Sequence, residues 1–148
     1  MLRGLSKLAL DTKGRIAIPA RYREYLRDLC GGRIVVTIDP DRCLLIYPLS
    51  EWLEVERNLV ALPSTDPRSR VLKRTLIGHA EECELDGQGR ILISAPLREW
   101  AGLSKRAVLT GQGNKFELWD EACWDAQRDG WVEVARQFGE TSGVEVVF

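Results

Sequence analysis

The chain contains the stretch LDTKGRIAI at residues 10–18, and the same pattern returns 75 positions later as LDGQGRILI at residues 85–93. The match continues at this offset, because Arg23-Glu24-Tyr25 falls on Arg98-Glu99-Trp100. An internal match of this length indicates a tandem duplication. The fold therefore has to accommodate two similar units.

Each repeated stretch predicts a tight turn between two short strands. Leucine or isoleucine alternates with other residues on both sides of the turn, as in a half-buried β-hairpin. If Asp11 and Arg15 face each other, the loop is Thr12-Lys13-Gly14, ending in a glycine that can take the left-handed conformation. Gly87-Gln88-Gly89 is the corresponding loop. We predict a hairpin over residues 5–19 and an equivalent hairpin in the second unit.

The remaining signals give both units the same order of elements. Each is predicted to contain strand, turn, strand, short helix, strand, turn, strand and a longer helix. The first unit covers residues 1–63, a connecting helix residues 64–78, the second unit residues 79–138, and a flexible tail residues 139–148. Units of about 70 residues rarely bury enough apolar surface to be stable alone. We therefore expect the two units to pack into each other.

The composition is that of a globular protein. Of 148 residues, 45% are hydrophobic and 29% are charged, which is close to the usual balance. No apolar run approaches the roughly 20 residues needed to cross a bilayer, and the N-terminus lacks the apolar stretch of a secretory signal. We expect no membrane partner, a cytoplasmic location, and reduced thiols at Cys30, Cys43, Cys83 and Cys123.

The sequence offers little for catalysis or metal binding. His79 is the one histidine, and the usual nucleophile, zinc and phosphate-loop motifs do not occur. Gly111 and Gly113 lie between two predicted strands, whereas a dinucleotide site requires a helix after such glycines. A pair of catalytic carboxylates is the one arrangement left open. We predict that the protein is not an enzyme, takes no small-molecule substrate, and carries no cofactor or metal.

Charge is unevenly distributed, although the formal net charge is only −1. Residues 1–75 carry a net charge of +5, residues 76–148 carry −6, and the whole positive excess lies within residues 1–33. Such asymmetry favours an anionic partner for the N-terminal part. A solvated basic face balanced by an acidic face explains the charges equally well.

The first turn concentrates groups suited to nucleic-acid contacts. Pairing between Asp11 and Arg15 would hold the guanidinium in a fixed direction, ready for bidentate contact with phosphate or guanine. Lys13 at the apex supplies a second cation, and Gly14 permits close approach of the backbone. On these residues alone, an exposed salt bridge that merely stiffens the turn is an equal explanation.

Several motifs together resemble the MraZ family of bacterial transcriptional regulators. They are Met1-Leu2-Arg3-Gly4, the D-x-x-x-R turns at Asp11–Arg15 and Asp86–Arg90, Arg21-Tyr22-Arg23, Gly78-His79-Ala80 and the run Asn114–Asp120. The resemblance implies a mixed α/β (α+β) fold of two AbrB/MazE-like units, in which a pseudo-twofold double-split β-barrel core carries peripheral helices. It also implies ring-like homo-oligomers that bind short G-rich repeats in double-stranded promoter DNA on the nucleoid and repress the division and cell-wall gene cluster.

The resemblance also implies which residues bind DNA. In the first unit they are Asp11, which orients Arg15, together with Lys13, Gly14 and Arg15. Arg3 and Lys7, from the same basic segment, complete the predicted interface.

The second unit keeps the motif residues Asp86, Gly89 and Arg90 but differs in charge. Gln88 stands where the first unit has Lys13, and Glu81, Glu82 and Glu84 precede the turn. Because these carboxylates repel phosphate, we predict that the first hairpin binds DNA and that the second has a structural role or a weaker DNA contact. An antitoxin-like protein-binding module and a structural ring protein without DNA specificity are the alternative functions.

Overall fold

The structure, a computed structural model, describes residues 1–141, with side chains described to residue 139. In chain order its elements are β1 (Leu5–Ala9), β2 (Arg15–Ala17), α1 (Ala20–Cys30), β3 (Arg33–Ile38), β4 (Leu44–Pro48), α2 (Leu49–Val60), α3 (Pro67–Leu76), β5 (Glu81–Glu84), β6 (Arg90–Leu92), α4 (Ala95–Trp100), β7 (Arg106–Gly111), β8 (Phe116–Asp120) and α5 (Glu121–Thr141). The predicted mixed α/β class is confirmed. Most of the predicted tail lies outside the described residues, and α5 continues to Thr141.

Within the described residues the strands form two antiparallel sheets. The larger has the order β1-β7-β8-β4-β3-β5, and the smaller is a two-stranded ribbon of β2 and β6. Because β5 to β8 repeat β1 to β4, the order of the large sheet reads equivalently from either edge. The equivalent strands β4 and β8 pair at its centre, with Leu44 opposite Leu118. This is the strand order expected of two units related by a pseudo-twofold axis.

The strand pairing corrects the predicted hairpins. β1 pairs with β7, placing Leu5 opposite Thr110, and β2 pairs with β6, so both strands of residues 5–19 bind the second unit. β5 pairs reciprocally with β3. The turn itself forms as predicted, since the Asp11 N–H donates to the Arg15 carbonyl at 3.0 Å. Exchange of strands lets two small units bury apolar side chains against each other, which neither could do alone.

Both units contribute to one main core. Ile16 and Ile91 point inward from the ribbon and are 0% and 1% exposed. They belong to a cluster that draws on both halves of the large sheet. On its α1 side, Tyr22 meets Phe116 edge to face, with 4.9 Å between the ring centroids. The helices α1 and α4 are therefore attached to a core that the two units share.

Aromatic side chains attach the longer helices to the large sheet. Tyr47 at the end of β4 lies 5.4 Å from Trp52 of α2, measured between ring centroids. At the corresponding place in the second unit, Trp119 contacts Trp124 and Trp131 of α5 at 6.3 and 4.9 Å. Among the described helices, none is both long enough and apolar enough to cross a membrane.

The two faces of β6 should respond differently to substitution. Ile91→Ala should lower the free energy of unfolding by about 2–5 kcal/mol, because removal of this buried side chain leaves a cavity in the shared core. Leu92→Ala is the matched control, since Leu92 is the next residue and is 55% exposed. It should change stability by no more than about 0.5 kcal/mol. Urea unfolding followed by tryptophan fluorescence measures both, and equal losses would contradict the assignment of the ribbon faces.

Candidate nucleic-acid interface

Asp11 organises the first turn through three hydrogen bonds. Its Oδ1 accepts the backbone N–H groups of Lys13 and Arg15, each at 2.9 Å. Its Oδ2 accepts the Nε–H of the Arg15 guanidinium at 2.7 Å. One carboxylate therefore holds both the backbone of the turn and the arginine side chain.

These hydrogen bonds favour the charged form of Asp11. The backbone N–H of Arg15 contributes most, and the Arg15 guanidinium and the Lys13 N–H add to it, so the pKa of Asp11 falls from its ordinary 3.8 to about 2. The carboxylate is thus ionised at neutral pH. The Arg15 side chain keeps 30% of its surface exposed, and Lys13 is exposed at the apex. The predicted brace between Asp11 and Arg15 is present.

Gly14 has a packing role that the sequence does not show. Its φ is +84°, which favours glycine, but it is buried. A Cβ added there would lie 2.0 Å from Nη1 of Arg98 in α4. Glycine is favoured here by its positive φ, and the arginine of the opposite unit packs directly against it. Arg98 covers Gly14 in this structure, and close approach of a ligand to the Gly14 backbone stays a prediction.

The second turn repeats this construction. Asp86 accepts the backbone N–H groups of Gln88 and Arg90 and the Nε–H of Arg90, all at 2.9 Å. The pKa of Asp86 is lowered, mainly by the Arg90 backbone N–H. Gly89 is crossed by Arg23 of α1, whose Nε would lie 2.2 Å from an added Cβ. Each turn is thus closed by an arginine from the other unit.

Arg23 and Arg98, the two arginines that cross the turns, were not predicted as site residues from the sequence. Arg23 donates to the Ile18 carbonyl at 2.6 Å, and Arg98 donates to the Ile93 carbonyl. Each side chain therefore reaches from its helix to the end of the ribbon strand in its own unit, where the turn of the other unit lies. The signal was present, because Arg23 and Arg98 are matched by the repeat, but only the exchange of strands shows which turn each one covers.

The ribbon brings the two braced arginines onto one face. Arg15 lies opposite Leu92 and Ala17 lies opposite Arg90, while Ile16 and Ile91 face the core. Arg15 and Arg90 are therefore diagonal neighbours on the outer face, a relation in which side chains stand roughly 7–8 Å apart. The sequence presented them as members of two separate hairpins.

Arg3 and Lys7 are not gathered around the turn. Lys7 is exposed on β1 opposite Val108, four residues before Asp11, which corresponds to about 13 Å along an extended strand. Arg3 lies farther away, where residues 2–4 pair with residues 111–113 and its carbonyl accepts the Tyr22 hydroxyl. These two cations extend along the edge of the sheet.

The acidic residues before the second turn are partly compensated. Glu82 pairs with Arg33 on the neighbouring strand at 2.5 Å. Glu81 accepts the hydroxyl of Ser94 at 2.5 Å. Glu84 is exposed and lies opposite Arg33 in the register. The net repulsion of phosphate at this edge is therefore smaller than three free carboxylates would produce.

Other groups singled out in the sequence have local roles. The Nδ1 atom of His79 lies 3.1 and 3.0 Å from the carbonyl oxygens of Arg74 and Thr75, at the end of α3. The four cysteines are free thiols. Over residues 1–139, whose side chains the structure describes, no three His, Cys, Asp or Glu side chains are grouped closely enough to hold a metal ion.

Comparison with known proteins identifies the family of this chain. A family model described as "MraZ protein, putative antitoxin-like" matches it twice, over residues 1–75 and 76–136. The chain belongs to the MraZ family. Its similarity to a "Transcriptional regulator MraZ" of Thioalkalivibrio sulfidiphilus is 56% identity over 97% of this chain and 96% of that protein. Proteins of the same name from Halorhodospira halophila and Methylococcus capsulatus are 57% and 54% identical, over 91% and 99% of this chain and 90% and 97% of theirs.

The MraZ family match agrees with the two units seen in the fold, since each matched segment contains one Asp-x-x-x-Arg turn. The curated MraZ relatives are named as regulators of transcription and not as enzymes. The prediction that the chain is not an enzyme is thereby confirmed.

The lowered pKa of Asp11 predicts a particular dependence of stability on pH. A carboxyl with a depressed pKa stabilises the fold above its unfolded value of 3.8, and this contribution is lost as the pH falls toward about 2. The stability difference between the wild type and Asp11→Asn should therefore be constant near neutral pH and shrink below about pH 4. Urea midpoints measured from pH 7 to pH 3 test this, with Asp86→Asn as a second case of the same sign. A difference as large at pH 3 as at pH 7 would refute it.

Proposed function

We propose that the chain regulates transcription by binding double-stranded DNA through its first turn. The observation that carries this proposal is the brace on Asp11, which holds Arg15 beside the exposed Lys13. A guanidinium already held in place loses less freedom when it binds phosphate or a guanine edge. The name of the relatives, transcriptional regulator, is in keeping with DNA as the partner.

The electrostatics of the segment support the same partner. Residues 1–33 carry a net charge of +5, and contacts to phosphate supply a large share of the affinity of DNA-binding proteins. Arg15 then reads base edges or phosphate, Lys13 contacts phosphate, and Asp11 orients Arg15 without touching DNA. Arg3 and Lys7 add phosphate contacts along β1.

The MraZ resemblance supports a narrower proposal about the target. We infer that the DNA consists of tandem short G-rich repeats in the promoter of the chain's own division and cell-wall gene cluster. Binding there would block the promoter and repress the cluster, and would place the protein on the nucleoid. The equivalent strand order from both edges of the large sheet is compatible with the double-split β-barrel that the family resemblance implies.

We propose further that several copies assemble into a ring. Both outer strands of the large sheet, β1 and β5, have one unpaired edge within the described residues, and such edges favour pairing with another strand. β5 carries Glu81, Glu82 and Glu84, whereas β1 carries no acidic residue that would repel them. A contact between two different surfaces of identical subunits closes into a ring when the rotation allows it.

A ring would make weak contacts effective. One braced turn touches only a few base pairs, but copies fixed on a ring can engage successive repeats about one helical turn apart. Once one copy has bound the DNA, binding of the next copy in the ring to the same DNA is intramolecular. The high effective concentration of the DNA around that copy then raises the affinity of the whole ring. An antitoxin-like protein-binding module and a purely structural ring remain the competing functions.

Substitution of the two braced arginines tests DNA binding. Arg15→Ala should weaken binding to a duplex carrying the gene's own upstream sequence by about 1–3 kcal/mol, because a positioned contact is lost. It should also reduce the slope of log K against log salt by about 0.9 for each phosphate contact removed. The measurement is a gel shift or fluorescence anisotropy titration at several salt concentrations, with a scrambled duplex alongside.

Arg90→Ala is the matched control, since Arg90 has the same brace and lies on the same ribbon face. It should weaken folding or assembly before it weakens DNA binding. Equal losses of affinity with both assemblies intact would show that both turns contact DNA. A wild-type protein that shows no salt-dependent binding to DNA would rule out the proposed function and favour the two competing ones.

Light scattering tests the proposed assembly. The mass in moderate salt should be several times the 16.7 kDa of one chain, because the free edges of β1 and β5 can pair with those of another copy. A monodisperse monomer that still bound its promoter tightly would exclude the multivalent mechanism.

A further inference from the structure

The surface beside the first turn contains two cations that belong to the other unit. The backbone N–H of Leu10 donates to the carbonyl of Lys105 at 2.9 Å, which holds Lys105 next to the start of the turn. The following residue, Arg106, begins β7 and lies opposite Ala9. The pairing of β1 with β7 thus brings a basic pair from the net-negative half of the chain to the basic half.

The two cations and the turn line one groove. It has a volume of about 590 Å³, and its walls are formed by Ala9, Leu10, Asp11, Thr12, Ser104, Lys105 and Arg106. Lys105 is exposed, and among the described residues no side chain pairs with its ammonium group. The Arg106 side chain is 70% exposed, and its Nε forms a long ion pair with Oε2 of Glu121 at 3.7 Å, which is too far for a hydrogen bond. Lys105 is therefore available to an anion at the mouth of the turn, and Arg106 keeps most of its surface open to the same anion.

The corresponding place beside the second turn has no counterpart of Lys105, and its counterpart of Arg106 is held by a carboxylate. The hydrogen bond from Leu85 N–H to the Gly32 carbonyl, also 2.9 Å, is the repeat of the bond to Lys105, so glycine occupies the position of the lysine. Arg33 occupies the position of Arg106, but Glu82 binds it at 2.5 Å. A different cation lies at the second turn, because Arg27 of α1 donates to the Asp86 carbonyl at 3.3 Å. The duplication has kept the backbone of the site and changed which cations surround it.

We propose that Lys105 and Arg106 form part of the DNA interface, as phosphate contacts that flank the first turn. This inference rests on the proposed function and deepens it, since it makes the interface a composite of both units. A phosphate seated beside the turn is contacted by Arg15 or Lys13 from the first unit and by Lys105 or Arg106 from the second. The carboxylates on β5 are partly neutralised, so they account for only part of the expected difference in DNA binding between the two turns. The composite interface accounts for the rest.

Anisotropy titrations across a salt series test the proposal on the full-length protein. Lys105→Gln and Arg106→Gln keep the backbone and most of the side-chain stem, so the strand pairing is retained. Each should make the slope of log K against log salt less steep by about 0.9, and the double variant by about twice that. Thermal melting and light scattering should match the wild type.

Arg33→Gln is the matched control, because Arg33 is the repeat of Arg106 at the second turn, and its salt slope should equal that of the wild type. The inference is overturned if the double variant keeps the wild-type slope while Arg15→Ala reduces it. It is overturned as well if Arg33→Gln lowers the slope as much as Arg106→Gln. The proposed function fails separately, and this inference with it, if the wild type shows no salt-dependent binding.

Discussion

Pairing of strands across the two units is the constraint on which the rest of this structure depends. β2 pairs with β6, β1 with β7, and β3 with β5, so strands of each unit find their partners in the other. The core is consequently shared, and Ile16 and Ile91 from the two units are buried side by side in the ribbon. Neither unit presents a complete sheet or a complete core without its repeat. The two repeats are therefore packed into one structure with a shared core.

The same exchange builds the candidate site. Each turn is braced within its own unit by an aspartate and closed from outside by an arginine of the other unit, Arg98 over the first turn and Arg23 over the second. The braced arginines then share one exposed face because their strands are neighbours in the ribbon. Rigid placement of a guanidinium by hydrogen bonds and close packing is what a specific contact with phosphate or a base edge requires. A salt bridge on a mobile loop would not provide it.

The two turns are geometrically equivalent, but the residues around them differ in charge. The aspartate brace, the positive-φ glycine and the crossing arginine are present at both turns. The differences lie in the residues around them, where Lys13 becomes Gln88, Lys7 becomes Glu82 and Lys105 becomes Gly32. Backbone and packing have been kept because the shared core needs both halves. The surrounding surface, which the core does not constrain, carries an electrostatic difference between the two halves.

Much of the molecule follows from local sequence. The repeat, the three-residue turns with a left-handed Gly14 and Gly89, and the pairing of Asp11 with Arg15 are all encoded within a few residues, because turn chemistry and an ion pair four residues apart depend on short-range geometry. The motifs that resembled the MraZ family were also local, and the family match over residues 1–136 bears them out. The mixed α/β class followed from the same alternation of strand and helix signals.

The pairing of the strands could not be predicted from local sequence. The alternation of apolar residues in a strand is compatible with a partner strand in its own unit and equally with one in the other unit. Burial of a core shared by both units favours pairing between the units. The strands of each predicted hairpin therefore pair with strands of the other unit. For the same reason the contacts of Gly14 with Arg98, the common face of Arg15 and Arg90, and the place of Lys105 and Arg106 beside the first turn are tertiary facts. Each joins residues more than 70 positions apart, a separation at which only the packed structure determines which side chains meet.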